Sequence, residues 1–309
     1  MEYLYWILAA ALILALILGV FWYLSLKSRP TLDELPFKNS DYLDIEGKKI
    51  HFQSWGKKDK KCIVLLHGIG ASSFAWRLIA PLLAQKNYVL ALDLPGFGYS
   101  TKDPDFSHNL KDQTKVVLQF IKKINIREIH LVGSSMGGAI ALNACKEMPK
   151  RFKSITVISP SIDPRQTKSL RLGFVSLLKR PVQYFLNKYI MEQILKEITI
   201  QSPNIKEDAI DNYLRPYKED IHSLTCFIKA FDNLLADKKM PKIFSHISQQ
   251  VDIIWGTHDR ITPFKMSKTL QNTLMISKLH ALDKGSHHPM EEKPDWTAKI
   301  ITQITDQST

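Results

Sequence analysis

The sequence predicts an α/β protein: a mostly parallel central sheet flanked by helices, with a helical cap insertion and an N-terminal transmembrane helix. Strand-like and helical segments alternate at short intervals through residues 42–160 and again from 251, the pattern of βαβ units whose sheet is covered on both faces. Between them, over 161–248, helical stretches dominate and no clear strand is seen. Ahead of both, residues 3–26 carry no charge and are almost wholly apolar.

That first run, YLYWILAAALILALILGVFWYLSL, would make a helix about 36 Å long, enough to cross a hydrocarbon core of roughly 30 Å. Tyr3, Tyr5 and Trp6 near one end and Trp22 and Tyr23 near the other match the aromatic belts of membrane interfaces. A cleaved signal peptide fits less well, since the run follows ME rather than a basic segment and leads into KSRP. Lys27 and Arg29 follow the span and Glu2 alone precedes it, so the positive charge puts the catalytic side in the cytoplasm. The expected division is an anchor at 1–28, a proline-containing linker at 29–40, a core at 41–160 and 249–309, and a cap or lid at 161–248.

Within the core, 42–56 reads as two short strands around a Glu46-Gly47 turn. KCIVLLHG (61–68) and YVLALDLPG (88–96) are continuous apolar runs, as expected of strands buried on both faces. Helical spacing follows at 74–86 and at 110–124, where Val116, Val117, Phe120, Ile121 and Ile124 form one stripe. Then come strand 128–135, helix 137–148, strand 152–160, strand 251–259, a helix from about 263, strand 277–285 and a last helix from about 294.

Composition narrows the function classes. With 45% hydrophobic and 23% charged residues the chain is ordinary globular protein. Cys62, Cys145 and Cys226 are too scattered for a disulfide framework, and no Cys/His spacing suggests a metal. The net charge of +12 comes mostly from dispersed lysines without a nucleic-acid reading motif, so an anionic membrane surface is the better partner.

The chemistry centres on GSSMG at 133–137, a G-x-S-x-G with Ser135 in the middle, set between a strand and a helix. Glycines two residues to either side let the chain turn sharply without Cβ collisions and lift the serine oxygen clear of the sheet. A serine nucleophile needs a base, and the base needs a carboxylate to fix its tautomer. WGTHDRITP places Asp259 past one strand end, and DKGSHHPMEEKP places His287 and His288 past the next. HGIGASS, after the strand at 61–68, brings the Ile69 N–H where it can join that of Met136 on one developing oxyanion. Three other residues compete for attention: His67 reads as an orienter of the oxyanion loop, Asp93 as a strand-end structural residue, and Asp163 as a second position for the acid.

In these segments, together with DLPGFGYS (93–100), the chain resembles the α/β-hydrolase fold superfamily of serine hydrolases, in the family's order and over residues 45–305. The resemblance implies Ser135 as nucleophile, Asp259 as acid, Ile69 and Met136 as oxyanion donors, and no metal or organic cofactor. The family's last motif commonly reads G-H-x-P, which implies His287 as base; here Ser286 replaces the glycine. Family members that open epoxides or remove halides carry an aspartate at the elbow, so Ser135 points to acyl transfer.

Substrate choice is expected in the cap. Residues 164–191 hold six basic side chains and no acidic one, interleaved with Leu170, Phe174, Leu177, Leu178, Phe185 and Leu186. Such a segment either rests on lipid or buries its apolar face against the core. With the anchor, it favours a hydrophobic ester delivered from the bilayer, similar to membrane-anchored monoacylglycerol lipases of the superfamily. The alternatives are a C–C bond hydrolase of the meta-cleavage type with the same triad, and an inert membrane-tethered binding protein.

Overall fold

One eight-stranded sheet organises the residues that the computed structural model describes, namely 36–163, 186–199, 202–236 and 244–308, with Gly19 alone before them. In chain order its strands are β1 (Ser40–Ile45), β2 (Lys48–Trp55), β3 (Cys62–Leu66), β4 (Tyr88–Leu92), β5 (Ile129–Ser134), β6 (Phe152–Ile158), β7 (Gln250–Gly256) and β8 (Ile276–Leu282). Their spatial order is β1-β2-β4-β3-β5-β6-β7-β8. β2 runs antiparallel to both β1 and β4, and every other ladder is parallel. Glu46 and Gly47 join β1 to β2 with positive φ at both positions (52° and 80°), the twist that a two-residue hairpin turn needs.

From the centre of the sheet the chain steps from β3 to β4 on one side, then returns to β5 on the other. That reversal opens a crevice at the C-terminal ends of β3 and β5, where open α/β sheets gather their ligands.

The helices are α1 (Leu110–Ile124), α2 (Met136–Glu147), α3 (Lys188–Thr199), α4 (Glu207–Glu219), α5 (Ser223–Ala236), α6 (Lys265–Thr273) and α7 (Pro294–Gln307). Strand side chains alternate between the two faces of the sheet. Cys62, Val64 and Leu66 of β3 therefore pack with Val117 and Phe120 of α1 and Ile140 of α2, while Ile63 and Leu65 pack with Trp76, Ile79 and Ile301 on the opposite face. α1 is bounded by its own sequence: Asn109 accepts from the Asp112 N–H at its start, and Asn125 in the left-handed region (φ 52°) ends it. A third cluster joins cap to core, with Phe74 and Ala75 against Met191, Leu195, Ile210 and Tyr213.

Two features differ from the sequence reading. The helix expected over 74–86 is a 3-10 turn (Ser73–Trp76) followed by a one-turn helix (Ala80–Leu83). Pro81 lacks an N–H and its ring would collide with a carbonyl one turn earlier, so it is accommodated only by restarting the helix just before it. The strands also stop short of the segments read for them, at Leu66 and Leu92, leaving His67–Ser72 and Asp93–Ser100 as loops at the crevice. The expected anchor at 3–26 and most of the basic lid (164–185) lie outside the described residues. Among the described residues no helix is long and apolar enough to cross a membrane. The described residues between β6 and β7 hold α3, α4 and α5 and no strand.

Candidate active site

The turn from β5 into α2 carries Ser135 at φ 52° and ψ −116°, a conformation that costs a non-glycine residue roughly 1–3 kcal/mol and persists only where its surroundings enforce it. They do so through the backbone. Ser135 N donates to Ile158 O (2.9 Å), while Ser135 O accepts from Gly138 N (3.0 Å), Ala139 N (3.2 Å) and Ser161 N (3.1 Å). The flanking glycines are required by close approach. A Cβ on Gly137 would strike the Leu66 and His67 carbonyls at the end of β3, and one on Gly133 would strike the returning Gly137 backbone. The first collision is with the end of a neighbouring strand, and the second is with the helix start itself.

The loop after β3 lies against this turn, since a Cβ on Gly68 would sit 3.0 Å from Ser135 Cβ. Its geometry is set by His67. Nδ1 donates to Gly68 O (2.7 Å) and Nε2 accepts from Leu94 N (2.9 Å), which fixes one neutral tautomer. Burial lowers the His67 pKa despite the Asp93 charge, so the ring stays in that tautomer. Gly68 C=O shares its peptide plane with Ile69 N–H, so gripping the carbonyl aims the donor. Met136 N–H opens α2, where no intrahelical acceptor exists. Among the described residues neither amide has an acceptor, so both expected oxyanion donors are free.

Past β7 and β8 the acid and base loops meet. His287 Nδ1 donates to Asp259 Oδ2 at 2.9 Å. Asp259 Oδ1 accepts from Ile261 N (2.9 Å) and Thr262 N (2.8 Å), and Thr262 Oγ1 lies 2.9 Å from Oδ2 and 3.2 Å from His287 Nδ1. Burial pushes the Asp259 carboxyl up, but the His287 charge and these hydrogen bonds outweigh it and hold the pKa below its ordinary value. With Nδ1 committed as donor, the lone pair of the neutral ring is at Nε2, the atom a general base uses.

His288 is unsuited to that role. It stacks on His287 (ring centroids 5.3 Å apart), its Nδ1 has no partner, and burial followed by the His287 charge drives its pKa down to about 3. Asp163 is buried near the end of β6, but the carboxylate that holds His287 is that of Asp259. Asp93 is structural: it accepts from Ser73 N (2.5 Å), Tyr99 N (2.7 Å) and His51 Nδ1 (2.7 Å).

Ser135 Oγ faces Ser161 Oγ at 3.4 Å, and among the described residues no hydrogen bond joins it to His287. The two belong to one connected set, for Thr262 Oγ1 bonds Ser159 O (3.2 Å), in the strand-end turn whose Ser161 N bonds Ser135 O. The set brings a hydroxyl, an imidazole bonded to a carboxylate and two backbone amides to the C-terminal ends of β3, β5, β7 and β8.

Sequence reasoning missed Thr262 and Ser161. Thr262 had a signal, since an aspartate followed three residues later by threonine is a side-chain-capped turn. Ser161, in an irregular loop, had none.

Comparisons with known proteins agree with this architecture. A family model described as alpha/beta hydrolase fold matches residues 61–294. The chain is 28% identical over 264 residues to the uncharacterized hydrolase YugF of Bacillus subtilis, covering 84% of this chain and 95% of that protein. It is 25% identical over 268 residues to monoacylglycerol lipase abhd6-A of Xenopus laevis (83% and 79% covered). It is also 25% identical over 267 residues to a 2-hydroxy-6-oxononadienedioate/2-hydroxy-6-oxononatrienedioate hydrolase of Pseudomonas putida (82% and 90% covered). Among solved structures, a membrane phospholipase A superposes with a TM-score of 0.68 at 21% identity, covering 100% of this chain and 99% of that one. With the matched segment running from β3 through β8 and including the Ser135 turn and the loops of Asp259 and His287, the chain belongs to the α/β hydrolase fold family.

Proposed function

We propose that the chain is a serine hydrolase of carboxylic esters with lipid-like acyl groups, a monoacylglycerol or similar ester, acting at a membrane. The observation that carries this reading is the conjunction at one sheet edge of a strained, helix-heading Ser135 with the bonded Asp259–His287 pair. Ser135 Oγ attacks the ester carbonyl carbon while His287 Nε2 takes the hydroxyl proton. The carbonyl π pair becomes an oxyanion held by the Ile69 and Met136 amides. Collapse expels the alkoxide, which takes the proton from His287 and leaves an acyl-serine; water then repeats the sequence and releases the acid. Asp259 stays ionised and stabilises the imidazolium. No metal or organic cofactor takes part in these steps.

Residues 3–26 are the proposed membrane attachment, with the basic lid as a second contact and the catalytic domain on the cytoplasmic side. Similarity to a monoacylglycerol lipase and to a membrane phospholipase A supports a lipid-like substrate. Similarity to the dienedioate hydrolase supports a second reading, C–C bond cleavage by the same three residues.

The test is a p-nitrophenyl ester series from acetate to palmitate with the full chain in detergent micelles. Turnover should rise with chain length and vanish in Ser135→Ala. A preference for acetate, or activity confined to a ring-fission dienoate, contradicts the lipid reading. Deletion of residues 1–28 should move the protein from the membrane pellet to the supernatant while hydrolysis of short esters persists; a truncated chain that still sediments refutes the anchor as the main attachment.

A further inference from the structure

We propose that cap helix α4 is a splint for both halves of the catalytic centre, through Tyr213 and Tyr217 one turn apart on its buried face. The inference rests on the serine-hydrolase reading above and makes these tyrosines positioning residues for it.

Tyr217 reaches the oxyanion loop. Its hydroxyl donates to Gly70 O at 2.9 Å. The peptide plane of that carbonyl also carries Ala71 N–H, which donates to Gly68 O (3.2 Å), and Gly68 C=O shares its plane with Ile69 N–H. Two rigid peptide planes thus separate a cap hydroxyl from an oxyanion donor. His67 grips the same Gly68 carbonyl from the core side, so the plane aiming Ile69 is held from both sides. Phe227 of α5 closes over Gly70, which adopts φ 76°.

Tyr213 reaches the base loop. Its hydroxyl donates to Glu291 Oε1 at 2.5 Å, and Arg77 Nη1 binds the same oxygen at 2.5 Å while its guanidinium lies over the Phe74 ring. Glu291 is fully buried, so its charge is tolerable there only with such partners. Its own N–H donates to His288 O (2.9 Å), one residue beyond His287. Neighbouring cap residues add to the grip, with Ser202 Oγ and Asn204 Nδ2 donating to Glu291 O (2.9 and 2.7 Å) and Ser286 Oγ to Ile198 O (2.9 Å). The cap therefore sets the height of the imidazole as well as the aim of the oxyanion donor.

The test compares Tyr213→Phe and Tyr217→Phe with wild type in the full-length, detergent-solubilised chain. The measurements are kcat and KM on p-nitrophenyl butyrate, the pH profile of kcat/KM, and Ki for an alkyl trifluoromethyl ketone. That ketone accepts Ser135 Oγ at its carbonyl carbon, the proton passing to His287 and the π pair becoming an oxyanion, so its affinity reports the hole directly. Tyr217→Phe should lower kcat about tenfold and raise Ki by the same factor with KM little changed, the size expected of a small displacement of reacting groups. Tyr213→Phe should lower kcat and move the acid limb of the profile to lower pH, because a loosened His287 loop weakens the contact with Asp259. Should Tyr213→Phe not be recovered folded, Glu291→Gln carries that arm with the same readouts. Wild-type kcat, Ki and acid limb in both arms, with only thermal stability reduced, would overturn the splint alone. A folded wild type inert toward both ester and ketone overturns the serine-hydrolase reading and the splint with it.

Discussion

Two buried histidine–carboxylate pairs in this molecule have nearly the same contact and opposite surroundings. His51 Nδ1 meets Asp93 Oδ2 at 2.7 Å, and His287 Nδ1 meets Asp259 Oδ2 at 2.9 Å. A serine even completes the first: His51 Nε2 lies 2.8 Å from Ser40 Oγ. Yet Ser40 Oγ also accepts from Phe37 N (3.1 Å), sits in the strand pairing of β1, and faces no pair of free amides among the described residues. The polar atoms there bind one another and nearby backbone, joining the N-terminal hairpin to the segments after β3 and β4. At the second pair Nε2 has no hydrogen bond among the described residues, and Ser135, at the end of β5, sits at a strained elbow beside two uncommitted N–H groups. The difference teaches that the imidazole–carboxylate contact is generic, and that catalysis depends on what is left unsatisfied around it.

The sharpest way to break this comparison is to neutralise each carboxylate in turn. Asp259→Asn should lower kcat about 10⁴-fold, since the amide favours the wrong tautomer of His287, with the fold intact by circular dichroism. Asp93→Asn should do the reverse, keeping kcat within a few-fold in whatever remains folded while lowering unfolding free energy by about 3 kcal/mol in urea titration. Equal kinetic losses in both variants would erase the distinction.

A smaller effect is expected from pH. In the folded chain, burial lowers the pKa of His288 to about 3 and of His130 to about 4. The unfolded chain therefore binds protons that the folded chain excludes, beginning near the ordinary histidine value of about 6.5. Stability should be complete above that pH and fall as pH drops toward 4, by up to about 1.4 kcal/mol per unit per group. Asp93 and Asp259 have lowered pKa values, so their contribution is present above the ordinary carboxylate range of about 4 and is lost only below it. Urea midpoints between pH 7 and 4.5 should thus fall less steeply in His288→Gln than in wild type; identical slopes would show that His288 is not the excluded site.

How much of this was legible in the sequence follows from the same contrast. The sheet was readable because buried strands are continuous apolar runs and helical stripes have a period, and Ser135, Asp259 and His287 stood out as candidates because each follows a strand end, those of β5, β7 and β8. His67 was placed as a loop orienter by its position alone. The Ser40–His51–Asp93 set, the Arg77–Glu291–Tyr213 contact and Tyr217 were invisible, because each joins elements distant in the chain and has no spacing to betray it. The broken helix at 73–83 was signalled by Pro81, which sits where an uninterrupted helix would need an N–H.

The central claim, that unspent valence around the second pair makes Ser135 the nucleophile, is tested most directly by trapping the intermediate. Protein mixed with p-nitrophenyl butyrate, acid-quenched within milliseconds and digested, should carry a butyryl group on the peptide containing Ser135. The adduct should be absent from Ser135→Ala and from the peptide containing Ser40. Steady turnover without acylation of Ser135, or acylation at Ser40, would contradict the account.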